Sequence, residues 1–371
     1  MTEPEPLQQV DRTYVRFRKR KLSYFSGCDY FRLASHPEVI AALKEGVAKY
    51  GLNVAASRLT TGNHVLYGQL EEQLAAFFDA ESVLLVSGGY VTNLIVAQAL
   101  AGSFSHAIVD EKAHPSLSDA AKRLDCPVLR FRHKSAEDLR QGVRRCGPGA
   151  RLLLFTDGMF AHDGSVAPLA KYLEILPKDA VILVDDAHGA GVVGKTGKGS
   201  VEHEGVSRNR IIQTITLSKA FGTYGGAILG TANLRRQIVD RSKMFLGSTP
   251  LPLPLANAAM TSAQILKSDR SLRQRLIEKT QLVKDTLYGA GKIPRITPEP
   301  ILPIIPRNAK EATGMTRELL QAGIYPPLVK YATGPAEGYF RFVISSEHSR
   351  EQLEELLRVL TKTAGKTTRN R

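Results

Sequence analysis

From residue 83 onward, short apolar runs alternate with amphipathic stretches in a steady order. Residues 83–86, 107–109, 128–131, 152–156 and 181–184 are rich in Val, Leu, Ile and Phe and end in polar or turn residues, so each predicts a buried strand. Helical spacing fills 91–101, 116–124, 135–145 and 168–175 between them. Two further runs, 211–217 and 227–230, bring the expected strands to seven. Strict alternation of strand and helix predicts an α/β fold, a mostly parallel sheet with helices on both faces.

The flanks read differently. Residues 1 to 30 read as an arm, with Tyr14, Phe17, Tyr24 and Phe25 as docking aromatics. Pro37 opens a helix through Lys49, at a position where proline is favoured. The glycine- and threonine-rich stretch 51–67 reads as a loop, and Leu70, Leu74, Phe77 and Phe78 predict a helix over 69–79. The proline-rich STPLPLPLAN at 248–257 reads as a linker, followed by helical sequence to about Tyr288. The remainder reads as α+β, with strands near 301–305, 324–328 and 339–345 and helices near 309–322 and 349–362. Leu353, Leu356, Leu357 and Leu360 share one face of the last helix, and Ser349 with Gln352 form a capping box at its start. The expected division is an arm and helix over 1–48, a large domain over 49–255 and a small C-terminal domain over 256–371.

Composition narrows the class. With 371 residues, 43% hydrophobic and 23% charged, the chain can bury a large core. No apolar run is long enough to span a bilayer, so no membrane role is expected. The acidic, polar start does not read as a secretory signal. Cys28, Cys126 and Cys146 lack metal-site spacing, which points to a reduced, cytoplasmic setting and no metal. The net charge of +14 favours an anionic partner. Much of it is local, in Arg16, Arg18, Lys19, Arg20 and Lys21 and in the tail residues Lys362, Lys366, Arg369 and Arg371. The early run suits a polyphosphate such as coenzyme A; no nucleic-acid motif accompanies it, so no nucleic acid is expected.

The chemistry concentrates between 180 and 230. AVILVDDAHGAG puts Asp185, Asp186 and His188 at the carboxyl end of one strand, where α/β sheets place ligands. IIQTITLSKAFG puts Lys219 just after another. Singly, the aspartates read as turn residues and the lysine as a solvated one. Together they suggest a lysine Schiff base with a cofactor ring held by a carboxylate and an imidazole. A buried carboxylate would keep a pyridine nitrogen protonated, which an electron sink requires. GAGVVGKT at 189–196 also fits the phosphate-loop pattern, but GKGSVEHEG follows it where that loop needs a helix.

These motifs resemble the α-oxoamine synthases, pyridoxal 5′-phosphate (PLP) enzymes of the aminotransferase-type fold (fold type I) that condense an amino acid with an acyl-CoA. VDDAHGAG and LSKAFG carry the resemblance, with TGNHVLYGQLE, HPSL, TDGMF and GSTPLP in the family's order. It implies Lys219 as the Schiff-base lysine and proton-transfer group, Asp185 on the pyridine nitrogen and His188 at the ring hydroxyl. His114, which by itself reads equally as a loop histidine, resembles the residue stacked on the ring. Gly89 and Tyr90, in SGGYVTN, resemble the turn whose amides hold the phosphate, and Thr216 a hydroxyl donor to it. Thr249 resembles a phosphate contact from a second subunit, which implies a homodimer. Arg341 alternates with aromatics in YFRFVIS and, if inward, needs a partner: a core Glu, or the substrate carboxylate that the resemblance implies. The implied partners are an amino acid, L-alanine first, and an acyl-CoA or acyl-carrier thioester. The sequence departs from the family at Cys28, where Asn is usual, at Asp157 for Glu, and at Ala161-His162 for Ser-Met.

Overall fold

The computed structural model describes residues 5–294, 296–330 and 335–363; Lys366, Arg369 and Arg371 of the basic tail lie outside them. The chain forms two compact units. The larger takes His36–Ala161 and Val166–Asp269, and the smaller takes Met1–Ser35, His162–Ser165 and Arg270–Arg371. The arm is no loose extension. Strands β1 (Gln8–Gln9), β2 (Tyr14–Phe17) and β3 (Arg20–Ser23) make an antiparallel meander. Its β2–β3 turn holds Arg18 and Lys19 at φ 46° and 64°, a left-handed pair that tight hairpins require. The arm is stitched into the smaller unit by Ser23 N–H to Gly323 O at 2.7 Å and by Val343 N–H to Phe25 O at 2.9 Å.

The larger unit is built on seven strands: β4 (Ser82–Val86), β5 (His106–Asp110), β6 (Val128–Phe131), β7 (Leu152–Asp157), β8 (Val181–Asp185), β9 (Ile211–Thr216) and β10 (Gly226–Gly230). Their order is β4-β10-β9-β8-β7-β5-β6. The pairs from β9 through β6 are parallel, and β10 alone runs antiparallel to both neighbours. All six residues of β7 and of β9 are buried, as expected where helices cover both faces. One face packs Leu84, Val86, Val109, Phe155 and Leu183 against Ile95, Val96 and Ala97; the other packs Ile108, Leu154 and Ile182 against Phe160 and Tyr172. Each fully buried Val, Leu, Ile or Phe among them contributes ~1.5–3 kcal/mol on leaving water.

Three expectations need correction. The 248–257 segment is not a linker: a helix runs Leu253–Ser268, and Pro254 falls in its first turn, where no amide partner is lost. The stretch before it, read without an element, holds helices Ala232–Arg241 and Lys243–Gly247, capped by Thr231 and Ser242. The unit boundaries also differ from the expected 48/49 and 255/256. Helix Pro37–Tyr50 belongs to the larger unit because it packs on Leu253–Ser268, with Gly46 against Pro254 and Asn257 Nδ2 donating to Ala42 O at 2.8 Å.

In the smaller unit, β11 (Ile301–Ile304), β12 (Leu328–Val329) and β13 (Tyr339–Val343) form an antiparallel sheet with β13 central. Helices Arg270–Gly289, Ala309–Gln321 and Arg350–Thr363 accompany it. The capping box forms in both directions: Ser349 N–H donates to Gln352 Oε1 at 3.0 Å, and Gln352 N–H to Ser349 Oγ at 3.2 Å. His348 stacks on Phe25 at 4.1 Å, and burial pushes its imidazole down to about 3, so it stays neutral.

Candidate active site

Strand register brings the acidic ends together. Asp157 of β7 pairs with Asp185 of β8, and Asp185 with Thr214 of β9, so three polar side chains form a rank across the carboxyl end of the sheet. Lys219 reaches this end because β10 must run back against β9, and residues 217–225 make that reversal. The loop is closed by Thr223 N–H to Leu217 O and Gly222 N–H to Lys219 O, both at 2.9 Å. Lys219 is half-buried.

Asp185 accepts from Asn93 Nδ2 at 2.7 Å and from Ala187 N–H at 3.1 Å. Asp157 is fully enclosed; burial, then the charge of Asp185, pushes its carboxyl well above the usual range, toward the neutral acid. Its Oδ2 accepts the His114 backbone N–H at 2.7 Å, which pins the turn between β5 and helix Pro115–Ala121. His114 is held low by burial, with the Lys219 charge adding and Asp185 opposing. The Lys219 charge also acts on Asp157, so lysine, histidine and both carboxyls share one electrostatic site. His188 is buried, one turn past Asp185.

At the other edge, helix Gly89–Ala99 starts directly after β4, with Gly88 as a cap that offers no side chain. Its first-turn amides therefore have no partner within the helix, the arrangement by which helix N-termini hold anions. A Cβ on Gly89 would lie 2.8 Å from Thr216 Cβ and 2.9 Å from its Oγ1, so only glycine lets this turn meet β9. Thr216 Oγ1 donates to Gly225 O at 3.2 Å and accepts Ser218 N–H at 3.2 Å, tying the lysine loop to the strand. The Tyr90 ring meets His114 edge-on at 5.9 Å, and its hydroxyl donates to Asp119 at 2.6 Å. Thr249 stands apart: it is exposed on the coil before Leu253, and among the described residues no hydrogen bond or ion pair joins it to the cluster.

Arg341 belongs to the smaller unit. It is buried on β13, with both terminal guanidinium nitrogens 3.6 Å from Cys28 Sγ. The buried Tyr30 hydroxyl also bonds to Cys28 and Arg341. In the same unit His162 stands beside Asp163 at 3.5 Å.

The phosphate-loop lookalike is explained by its own chain. No helix starts at Lys195-Thr196; Glu202 instead accepts Thr196 N–H at 3.0 Å, Thr196 Oγ1 at 2.7 Å and Lys198 N–H at 3.0 Å. A carboxylate occupies the place a phosphate would take.

Sequence reasoning missed Asn93, Ser116 and the pinning role of Asp157. One sign was available for Asn93, an amide directly before the apolar run LIVA.

The comparisons with known proteins agree with this geometry. A model of the aminotransferase class I and II family matches residues 27–360. The 8-amino-7-oxononanoate synthase of Thioalkalivibrio sulfidiphilus is 37% identical over 347 residues, covering 92% of this chain and 88% of that protein. The 8-amino-7-oxononanoate synthase 1 of Bacillus subtilis is 31% identical, covering 96% and 92%. Among solved structures, a serine palmitoyltransferase from S. paucimobilis, with a bound PLP–myriocin aldimine, superposes at a TM-score of 0.90 with 26% identity, covering 98% of this chain and 93% of that one. With its seven-stranded sheet, its lysine after β9 and these relatives along nearly the whole chain, the protein belongs to the aminotransferase class I and II family.

Proposed function

We propose that this protein is a PLP-dependent C-acyltransferase of the 8-amino-7-oxononanoate synthase type. It joins an amino acid to an acyl thioester, releases the thiol carrier and CO2, and yields an α-amino ketone. The observation that carries the reading is the convergence of Lys219, Asp185 and His114 at one end of the sheet, in a chain 37% identical to such a synthase. The residues suit the cofactor: a glycine whose Cβ would strike Thr216 clears the helix N-terminus for a phosphate, and a hydrogen-bonded buried carboxylate suits a protonated ring nitrogen.

When bound, PLP supplies an electron sink for the pair left at the substrate Cα. Lys219 holds the cofactor and, once released as a free amine, takes the Cα proton and later returns it. Asp185 keeps the ring nitrogen protonated, and His114 covers the ring face. Gly89, Tyr90 and Thr216 serve the phosphate, with Thr249 supplied by a second copy in a homodimer. Arg341 takes the substrate carboxylate as a bidentate partner.

The acyl group follows from the product's carbon count. An amino-oxononanoate has nine carbons; alanine minus CO2 supplies two, which leaves a seven-carbon acyl chain ending in a carboxylate. The similarity to serine palmitoyltransferase supports a second reading, L-serine with a long acyl chain. Glycine C-acetyltransferase and 5-aminolevulinate synthase activities are further alternatives within the group. No described helix is long and apolar enough to cross a membrane, and we infer a cytoplasmic enzyme.

A carrier-release assay decides. L-alanine should release free CoA, or the acyl carrier protein's thiol, from the seven-carbon dicarboxylic thioester and give the amino ketone. Release only with L-serine and palmitoyl-CoA moves the assignment to the second reading. No amino-acid-dependent release from any thioester overturns both.

A further inference from the structure

Asn93 lies wholly buried in helix Gly89–Ala99, and every polar atom of its side chain is engaged. Nδ2 donates to Asp185 Oδ2 at 2.7 Å and to Ser116 Oγ at 3.0 Å, while Oδ1 accepts the Thr214 hydroxyl at 2.7 Å. An amide nitrogen carries two hydrogens, so both are committed. The amide has one workable orientation. Turned over, its oxygen would face a carboxylate, and neither group would have a proton to share.

Ser116 extends the chain of bonds. Its Oγ lies 2.7 Å from His114 Nδ1, and its backbone N–H points at the same nitrogen at 3.3 Å. The backbone N–H at 3.3 Å and the hydroxyl at 2.7 Å both favour Nδ1 as an acceptor, the shorter bond more strongly, so neutral His114 carries its proton on Nε2. The Ser116 hydroxyl accepts from Asn93 and gives its own proton to Nδ1 at 2.7 Å, in preference to Asp185 Oδ2 at 3.4 Å. One amide thus reaches Asp185 directly and His114 through Ser116, two of the groups assigned to the cofactor ring.

We propose that Asn93 is the positioning residue of this site, directing the Asp185 carboxylate with one amide hydrogen and fixing the Nε2–H tautomer of His114, through Ser116, with the other. Its purpose rests on the cofactor reading above; the bonds themselves are present in the chain alone. Stripped of that donor, Asp185 loses its strongest neutral partner in a buried place and turns from its set direction. The Ser116 hydroxyl in turn is free to rotate, and the 3.3 Å backbone N–H is the one fixed bond left to favour the Nε2–H tautomer of His114.

The test uses Asn93→Leu, which keeps the size and removes both hydrogens, alongside Asn93→Ala and Ser116→Ala. Nitrogen-15 histidine spectra of the wild-type apoprotein, with His114 assigned by its absence in His114→Gln, should show the Nε2–H tautomer. Ser116→Ala, which leaves the 3.3 Å backbone N–H alone on Nδ1, should admit a fraction of the Nδ1–H form, and a spectrum identical to wild type would remove the hydroxyl from the assignment. In both Asn93 variants the affinity for PLP should fall about 10- to 100-fold, the usual scale for residues that orient a ligating group. The pH midpoint of the bound cofactor's visible absorbance should move, and kcat should fall while KM for the amino acid stays within about threefold. A wild-type His114 protonated on Nδ1 overturns the proposal, as do Asn93 variants that bind PLP with unchanged affinity and an unchanged absorbance profile. Should the Asn93 variants not fold, the Ser116→Ala spectrum decides. Wild-type protein that takes up no PLP would defeat the cofactor reading instead, and the tautomer spectra would still decide the assignment of the bonds.

Discussion

A lysine that moves a proton must spend part of its cycle neutral, and the surroundings of Lys219 bear on that. Asp157 is pushed toward its neutral acid by burial and by Asp185, so the two adjacent strand ends do not present two full negative charges to the lysine. Lys219→Ala should reduce turnover at least about 1000-fold and abolish covalent, borohydride-fixable attachment of the cofactor, with far-ultraviolet circular dichroism unchanged. Attachment that survives would put it at another lysine. Asp186, next in line, is buried and has a different task. Its Oδ2 accepts Ser200 N–H at 2.8 Å and Gln213 Nε2 at 2.6 Å, while its buried Oδ1 has no hydrogen-bond partner. Burial pushes its carboxyl up to about 6. The folded state therefore binds that proton more tightly than the unfolded state, whose value is about 3.9. A raised carboxyl makes stability fall as pH rises through the window from about 4 to 6, by ~3 kcal/mol in all. The substitution Asp186→Asn isolates this proton, since it keeps an acceptor for Ser200 and Gln213 and does not titrate. Chemical denaturation at pH 4 and pH 7 should show the wild type losing about 2 kcal/mol relative to Asp186→Asn, since the unfolded carboxyl is already half ionised at about pH 4; parallel profiles would refute the shift.

At the scale of elements, the site is a set of ends: the carboxyl ends of β7, β8 and β9, and the start of helix Gly89–Ala99. The helix start is the tightest of them, because Gly89 lies against Thr216 on a buried strand that cannot withdraw. Gly89→Ala should cost the apoprotein about 1–3 kcal/mol by overpacking and weaken cofactor binding with it. Denaturant unfolding without PLP measures the first, and an unchanged midpoint would show that the turn yields. The same ends decided what the sequence could tell. Strands were legible because β7 and β8 carry unbroken apolar runs, LLLF and VILV, and Asp185 and Lys219 were legible because the one ends and the other follows a buried strand. Helix Ala232–Arg241 was not, since only Leu234 and Ile238 of its ten residues are buried. The arm hairpin escaped because Arg18-Lys19 fills a turn that usually signals itself with Asn-Gly. Asn93 and Ser116 meet Asp185 across 92 and 69 residues of chain, a separation that no local spacing encodes.

At the scale of the whole molecule, the +14 charge bears on how an anionic acyl donor arrives. The basic arm was the expected contributor, and its fold reduces that contribution. Arg18 pairs with Glu5, Lys21 lies 3.1 Å from Asp11 and 4.1 Å from the Tyr14 ring centroid, and Arg20 donates to Leu320 O at 2.7 Å. Two of the five cations thus have acidic neighbours, and Arg16, Lys19 and Arg20 are the three whose charge is not offset in this way. Their pull on a coenzyme A polyphosphate is exposed to solvent, so salt should screen it within about 10 Å at 0.1 M. Raising salt from about 20 to 200 mM should therefore raise KM for acyl-CoA on the order of threefold and leave KM for the amino acid, assigned to the buried Arg341, nearly constant. Replacing Arg16, Lys19 and Arg20 with glutamine should reproduce that rise at low salt and flatten the salt dependence. Arg341→Ala should do the reverse, weakening the amino acid and sparing the thioester. If the triple variant keeps the wild-type KM for acyl-CoA at low salt, the arm's charge plays no part in donor capture, and its work is confined to the hairpin that Glu5 and Asp11 hold together.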